Sequence, residues 1–310
     1  MAEAGWSPAD VAELPRADRL RGLVYSSISE QAAERFSGRV EVYRRDVQVH
    51  RGFASESRRV VPRGEIKELS AASRRRLALV ARNLEPGRVR CLITLTLPGD
   101  WLAVVPDGRT LKVKAHRMWQ ELRRKYPGIG GLWFLEFQKR GAPHYHAGVT
   151  VEVDRAWLAA TWARIVAATG EERRRHELAG TGSEVIRLAD GFTRYVSKYA
   201  SKWEQKIVPD YFAGVGRMWG LFGSLRVEVE RVAGSRSEVA DVMRVARRLQ
   251  RSRSKAAGQK FDDKGWRGWT SYDVGPAISQ YLSWRSAQPK LLQKRGVGDQ
   301  RRKTVGGAVA

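Results

Sequence analysis

Residues 131–153 read GLWFLEFQKRGAPHYHAGVTVEV, and this stretch decides the fold of the surrounding chain. Two β-rich runs, GLWFLEFQ (131–138) and HYHAGVTVEV (144–153), flank the short polar segment KRGAP (139–143), the pattern of an antiparallel hairpin. Alternate side chains of a strand share a face, so His144 and His146 point the same way and can share one metal ion. Glu136 lies on the preceding strand at an even separation from His144, as does Gln138, and ordinary antiparallel register carries that carboxylate to the same face. Two imidazoles, a carboxylate and open water positions suit Mg²⁺ or Mn²⁺ acting on a phosphodiester, whereas structural zinc asks for four protein ligands. Taken alone, His-x-His describes two ordinary strand histidines equally well. The chain has 5 histidines, and the other three, His50, His116 and His176, lie in segments that show no partner and read as surface or core residues.

Upstream, the turn Glu85-Pro86-Gly87 introduces RVRCLITLTLP (88–98), a strand buried on at least one face, and Leu111, Ala115, Met118, Trp119 and Leu122 space out a helix from Thr110 to Tyr126 that Pro127-Gly128 stops. Downstream, Asp154 caps a helix carrying Leu158, Trp162 and Ile165. The polar run EERRRHELAGTGS (171–183) leads to a short strand, EVIRL (184–188), and then to a helix from about Gly191 to Lys206. GRMWGLFGSLRVEVERV (216–232) reads as a further strand, and residues 236–251 as a basic helix. This order predicts the α+β class, an antiparallel β-sheet palm with helices packed mainly on one face. The expected organisation is an accessory N-terminal region (1–85), containing an alternating segment from Val40 to Val49 and an Arg-rich helical pattern at 74–77, then a core (86–232) and a basic C-terminal region (233–310).

Charge narrows the partner. Against 33 Asp and Glu stand 57 Lys and Arg, a formal net charge of +24 with a pI near 10.8, which points to a polyanion and first to nucleic acid. Residues 231–310 hold 18 Lys or Arg against 6 Asp or Glu, so the excess concentrates at the C-terminal end. There Trp266, Trp269, Tyr272, Tyr281 and Trp284 interleave with the basic residues, which fits base stacking as well as a small packed appendix. The one cysteine, Cys91, excludes an intrachain disulfide and a four-cysteine zinc site, and its apolar surroundings read as core. Neither an apolar signal core nor a membrane-length apolar run is present, so the expected location is the cytoplasm of a prokaryotic cell, without membrane contact.

The second constellation is Tyr195-Val-Ser-Lys198-Tyr199-Ala-Ser-Lys202, a YxxK unit written twice. Positions four apart on a helix differ by roughly 40° in direction, so Tyr195 and Tyr199 lie on one face and can address one site. A phenol is a weak nucleophile at neutral pH, and a metal or the ammonium of Lys198 or Lys202 can stabilise its phenolate or the charge on a phosphate. An amphipathic helix with partly buried tyrosines and solvated lysines explains the same pattern.

LITLTLP within 91–98, His144-Tyr145-His146 with Glu136 upstream, and the doubled YxxK follow one another in the order of the three motifs of the HUH endonucleases, which this sequence resembles over about residues 88–230. The doubled tyrosine is similar to that of rolling-circle initiators of small single-stranded-DNA phages and of two-tyrosine transposases. WFLEFQKRGAPHYH resembles the metal-site hairpin of many phage and plasmid initiators, and GRMWG a strand that follows their tyrosine helix. The resemblance implies an RRM-like palm in which His144 and His146 are metal ligands, Glu136 is a third ligand, Tyr195 and Tyr199 are nucleophiles, and Thr94 and Thr96 support the site. It implies a metal-dependent endonuclease and strand transferase that forms a 5′-phosphotyrosine on a single-stranded or hairpin origin of a phage or plasmid. Arg194, Arg140, Lys139, Trp266 and Trp269 are the expected DNA contacts. No GxxxxGK[ST] loop occurs, so no nucleotide is expected, and strand separation and extension fall to a host helicase and DNA polymerase. A two-tyrosine transposase and a non-catalytic single-stranded nucleic-acid-binding protein on the same palm are the alternatives.

Overall fold

The computed structural model describes residues 36–53, 64–201, 206–261 and 269–287. In chain order its elements are β1 (Phe36–Tyr43), β2 (Val47–Phe53), α1 (Ala71–Arg82), β3 (Cys91–Leu95), α2 (Trp101–Val104), α3 (Gly108–Lys125), β4 (Gly130–Phe137), β5 (Pro143–Val149), α4 (Arg155–Ile165), α5 (Gly170–Ala179), β6 (Thr181–Val185), α6 (Gly191–Ser201), β7 (Trp219–Gly223), β8 (Val229–Gly234), α7 (Arg236–Ala256), β9 (Trp269–Ser271) and α8 (Gly275–Ser286). They form two compact units, one within residues 58–228 and the other drawn from 1–57 and 229–310. The class is mixed α and β with two antiparallel sheets.

The larger unit is built on a five-stranded sheet in the order β6-β3-β5-β4-β7. The hairpin read from residues 131–153 is its centre: β4 pairs with β5 in a register that sets Glu136 opposite His144 and Phe134 opposite His146. β3 lies against the other side of β5 and places Thr94 opposite His146. Helix starts follow local chemistry. The Asp107 side chain accepts from Thr110 N at 2.7 Å to open α3, and Asp154 accepts from Trp157 N at 2.6 Å to open α4. Three cations, Arg123, Arg124 and Lys125, complement the dipole at the end of α3.

Helices cover both faces of this sheet, not mainly one. β4 and β5 are buried almost throughout, so each face needs its own apolar cover. On one face Tyr145 meets Trp119 of α3 edge to face, with ring centroids 6.0 Å apart. On the other, Phe192 of α6 lies directly over Gly148, where an added Cβ would stand 2.3 Å from the ring. Helix α1 packs beside α6 and buries Leu77 and Ala81 in the same core, so this segment belongs with the larger unit, not with the N-terminal strands.

The run 216–232 does not form one strand. β7 ends at Gly223, whose φ of 62° is a conformation that L side chains rarely adopt and whose Cα faces the Ile129 carbonyl too closely for any Cβ. The chain then leaves the large sheet, and β8 enters the second one, ordered β8-β1-β2-β9. In that smaller unit Val40, Val42, Val47 and Val49 face Val242, Ala246 and Leu249 of α7 and Ile278 of α8. The alternating Val40–Val49 segment is therefore a hairpin with one apolar face. Helix α7 runs from Arg236 to Ala256, opened by a capping box between Ser235 and Glu238. Among the described residues no helix is long and apolar enough to cross a membrane.

Candidate functional site

On the face of the large sheet that α6 covers, β-alternation turns His144, His146, Glu136, Phe134 and Thr94 toward the helix, while Tyr145 points into the opposite core. Seating Phe192 on Gly148 brings α6 close to the sheet, and the next inward-facing residue one turn on is Tyr195. Its hydroxyl donates to Nδ1 of His146 at 2.8 Å, with Thr94 Oγ1 3.3 Å from the same nitrogen. Nε2 of His146 lies 3.3 Å from Glu136 Oε2, so the neutral tautomer that satisfies both contacts carries its proton on Nε2. The other carboxylate oxygen, Oε1, pairs with the ammonium of Lys206.

Electrostatics follow from burial. Burial and the neighbouring His146 push the His144 imidazole down to about 3, despite the opposing pull of Glu136, so it is a neutral lone-pair donor across the physiological range. Burial raises the Glu136 carboxyl, but the hydrogen bond from His146 and the charge of Lys206 outweigh it and hold the group below the ordinary carboxylate range. The two imidazole rings lie 4.4 Å apart between centroids, and the Gln138 amide donates to His144 Nδ1 across 3.4 Å. Among the described residues no three His, Cys, Asp or Glu side chains are already drawn together as a ligand set.

Residues 90–204 match the family model of the Replication-associated protein of the ORF2 type. The chain is also similar to PDa0002 of Xylella fastidiosa, provisionally named a replication protein, with 25% identity over 133 residues. That similarity covers 38% of this chain and 49% of the relative, so the chain spans about half the length of the curated relative it matches. No solved structure matches the chain. Both likenesses are to proteins named for replication. The matched span runs from β3 to the end of α6 and holds every side chain of the site described above except Lys206.

Lys198 is exposed on α6, and Arg194, also exposed, pairs with Asp190 at 2.8 Å one turn before it. Tyr199 follows Tyr195 by one helical turn, but its side chain lies outside the described residues, as do the side chain of Trp269 and the whole of Lys202 and Trp266. Lys139 is exposed in the hairpin turn. Arg140, expected to touch DNA, directs its guanidinium at the carbonyls of Leu97, Pro98 and Gly99, at 2.6, 2.9 and 3.1 Å, and at Gln138 Oε1. It staples the hairpin turn to the end of β3 and orients Gln138 toward His144. Thr96 turns away from the site, its hydroxyl donating to the Gly180 carbonyl at 2.5 Å.

Lys206 is the residue that sequence reading missed as a site member. Its backbone is fixed by Leu69 N donating to its carbonyl at 2.9 Å and by the neighbouring bridge between Glu68 and Ile207. The side chain is fully buried, with its ammonium 5.6 Å from the centre of the Phe134 ring. Only its place at the end of the expected tyrosine helix hinted at proximity.

Proposed function

We propose that this chain starts rolling-circle replication of a phage or plasmid by nicking single-stranded DNA at an origin through a covalent 5′-phosphotyrosine link, and later rejoins it. The observation that carries the reading is the Tyr195 hydroxyl 2.8 Å from His146 Nδ1, which sets a nucleophile against the histidine pair. The Tyr195 hydroxyl gives its proton to solvent as its oxygen attacks phosphorus, the bond from phosphorus to the 3′ oxygen breaks, and that oxygen takes a proton from solvent and leaves as a hydroxyl for a host polymerase to extend. Bond energy is kept in the phosphotyrosine. A second tyrosine, Tyr199, cleaves the regenerated origin, and the released 3′ hydroxyl attacks the first link. Host helicase supplies strand separation.

The donor set fits Mg²⁺ or Mn²⁺. Glu136 Oε2 and His146 Nε2, 3.3 Å apart, would both turn lone pairs to the ion once the proton between them is released. Neutral His144, its ring 4.4 Å from that of His146, would supply the third donor. Bound there, the ion would polarise the scissile phosphate. Were Nε2 of His146 to hold the ion, the ring would carry its proton on Nδ1 and would donate toward the Tyr195 oxygen, lowering the cost of the phenolate. The net charge of +24 supplies affinity for the DNA backbone that falls with salt.

The test is a panel of labelled single-stranded oligonucleotides, including the element's own origin, incubated with Mn²⁺ and run on a denaturing gel. A covalent protein–DNA adduct that needs the ion and disappears in the Tyr195→Phe, Tyr199→Phe double variant is expected. No adduct on any substrate, with binding that persists in chelator, would replace this reading with a non-catalytic binding protein. Preferential cutting of transposon ends would favour a transposase.

A further inference from the structure

We propose that Lys206 is the resident cation of this site, neutralising Glu136 when no divalent ion is present, so that metal binding is an exchange of one positive charge for another. The inference rests on the reading that the histidine pair takes a divalent ion, and adds a device outside the span shared with the replication-associated family.

Three observations carry it. Glu136 is 3% exposed and Lys206 not at all, so neither charge can lean on water. They pair directly through Glu136 Oε1, while Oε2 faces His146, so one carboxylate serves the ammonium and the imidazole at once. The backbone that carries the ammonium is also held, since the Lys206 carbonyl accepts from Leu69 N and Val208 N donates to the Lys67 carbonyl. Lysine is therefore built into the site and does not lie across it by chance. A divalent ion held by Glu136 would bring its charge close to a buried ammonium, and the repulsion weakens binding, as does the loss of the Lys206–Glu136 pair. The consequence is a site that stays folded without metal and binds the ion loosely enough to release it.

The experiment uses the full chain, with Mn²⁺ binding followed by calorimetry and thermal melting followed in chelator and in excess Mn²⁺. Lys206→Met should bind Mn²⁺ about tenfold more tightly than the parent or better. In chelator it should melt about 5–10 °C lower, because an unpaired carboxylate is left buried, and added Mn²⁺ should recover most of that loss. Lys206→Met combined with Glu136→Gln should regain the melting temperature in chelator, and Lys206→Gln serves where the Met variant does not fold. Equal or weaker Mn²⁺ affinity in the lysine variants, or an unchanged melt in chelator, overturns the exchange while leaving the metal site intact. If the parent binds no Mn²⁺, or binds it equally after His144→Ala and His146→Ala, the metal reading itself fails. A lower melt in chelator would then mark a purely structural ion pair and overturn the proposal.

Discussion

The Tyr195 hydroxyl and Nδ1 of His146 lie 2.8 Å apart although 49 residues separate them along the chain. The contact joins a helix to the centre of a sheet, and its two partners bring different chemistry, one a phenol hydroxyl and the other a ring whose second nitrogen faces Glu136. Tyr195→Phe removes that hydroxyl and keeps the ring, which packs 6.3 Å from Phe134. The variant should lose the adduct formed at residue 195 while losing only about 1 kcal/mol of stability, the net worth of one hydrogen bond. Mapping the DNA-linked peptide by mass spectrometry, alongside a urea melt, checks both halves.

Gly148 sets how closely α6 approaches the sheet. A Cβ there would stand 2.3 Å from the Phe192 ring, so Gly148→Ala must push the helix outward or tilt the ring. The expected cost is about 1–3 kcal/mol of stability, as for other overpacked cores, with a larger loss of nicking because Tyr195 rides on the same helix. Phe192→Leu should restore part of both in the double variant, and a double-mutant cycle in urea measures the coupling. Additive effects of the two substitutions would place the contact elsewhere.

In the smaller unit Glu41 gathers hydrogen bonds from the Tyr43 hydroxyl at 2.9 Å, His50 at 3.1 Å and Arg231 at 3.2 Å. Burial raises this carboxyl, but those bonds outweigh it and leave it below its ordinary value of 4.5. A depressed folded value means that the stabilisation is fully present above pH 4.5 and is lost as pH falls through the folded value. Acid melts of the full chain should show this loss below that pH, and Glu41→Gln should flatten the dependence. An unchanged acid limb in the variant would show that other carboxylates control it.

Lys112 carries the same sign into an alkaline window. Burial, with the nearby charge of Arg217, lowers its ammonium to about 8, although it lies 4.6 Å from the centre of the Trp133 ring and donates to the Arg217 carbonyl. Between the folded value and the ordinary 10.5 the unfolded chain holds the proton more tightly, so this group makes stability rise with pH over that window. Lys112→Met should remove the rise, as seen in thermal midpoints taken from about pH 7.5 to 10.

Periodicity carried the central hairpin because strand alternation is a property of covalent geometry. His144 and His146 share a face in any β-strand, and five residues between two β-rich runs leave few registers other than the one that sets Glu136 opposite His144. The helix starts at Asp107 and Asp154 are local in the same way, each settled by a side chain and an amide three residues on. The run 216–232 misled because its alternation continues through Gly223, and only the closeness of the Ile129 carbonyl shows that the strand ends there. The partners of Arg140 were not legible, because a guanidinium in a surface turn looks the same in sequence whether or not three backbone carbonyls hold it.

What the amino-acid sequence by itself determined is the set of chemically able groups and their local geometry: a histidine pair on one strand face, a carboxylate on the neighbouring strand and two tyrosines one helical turn apart. Tertiary structure alone decided that Tyr195 reaches His146, that a lysine beyond the tyrosine motif is buried against Glu136, and that β1 pairs with β8 in a second sheet. The physical reason is range. Local elements follow from torsional preference and hydrogen bonds a few residues apart, whereas these meetings depend on close packing between distant segments, down to the absence of one methyl group at Gly148.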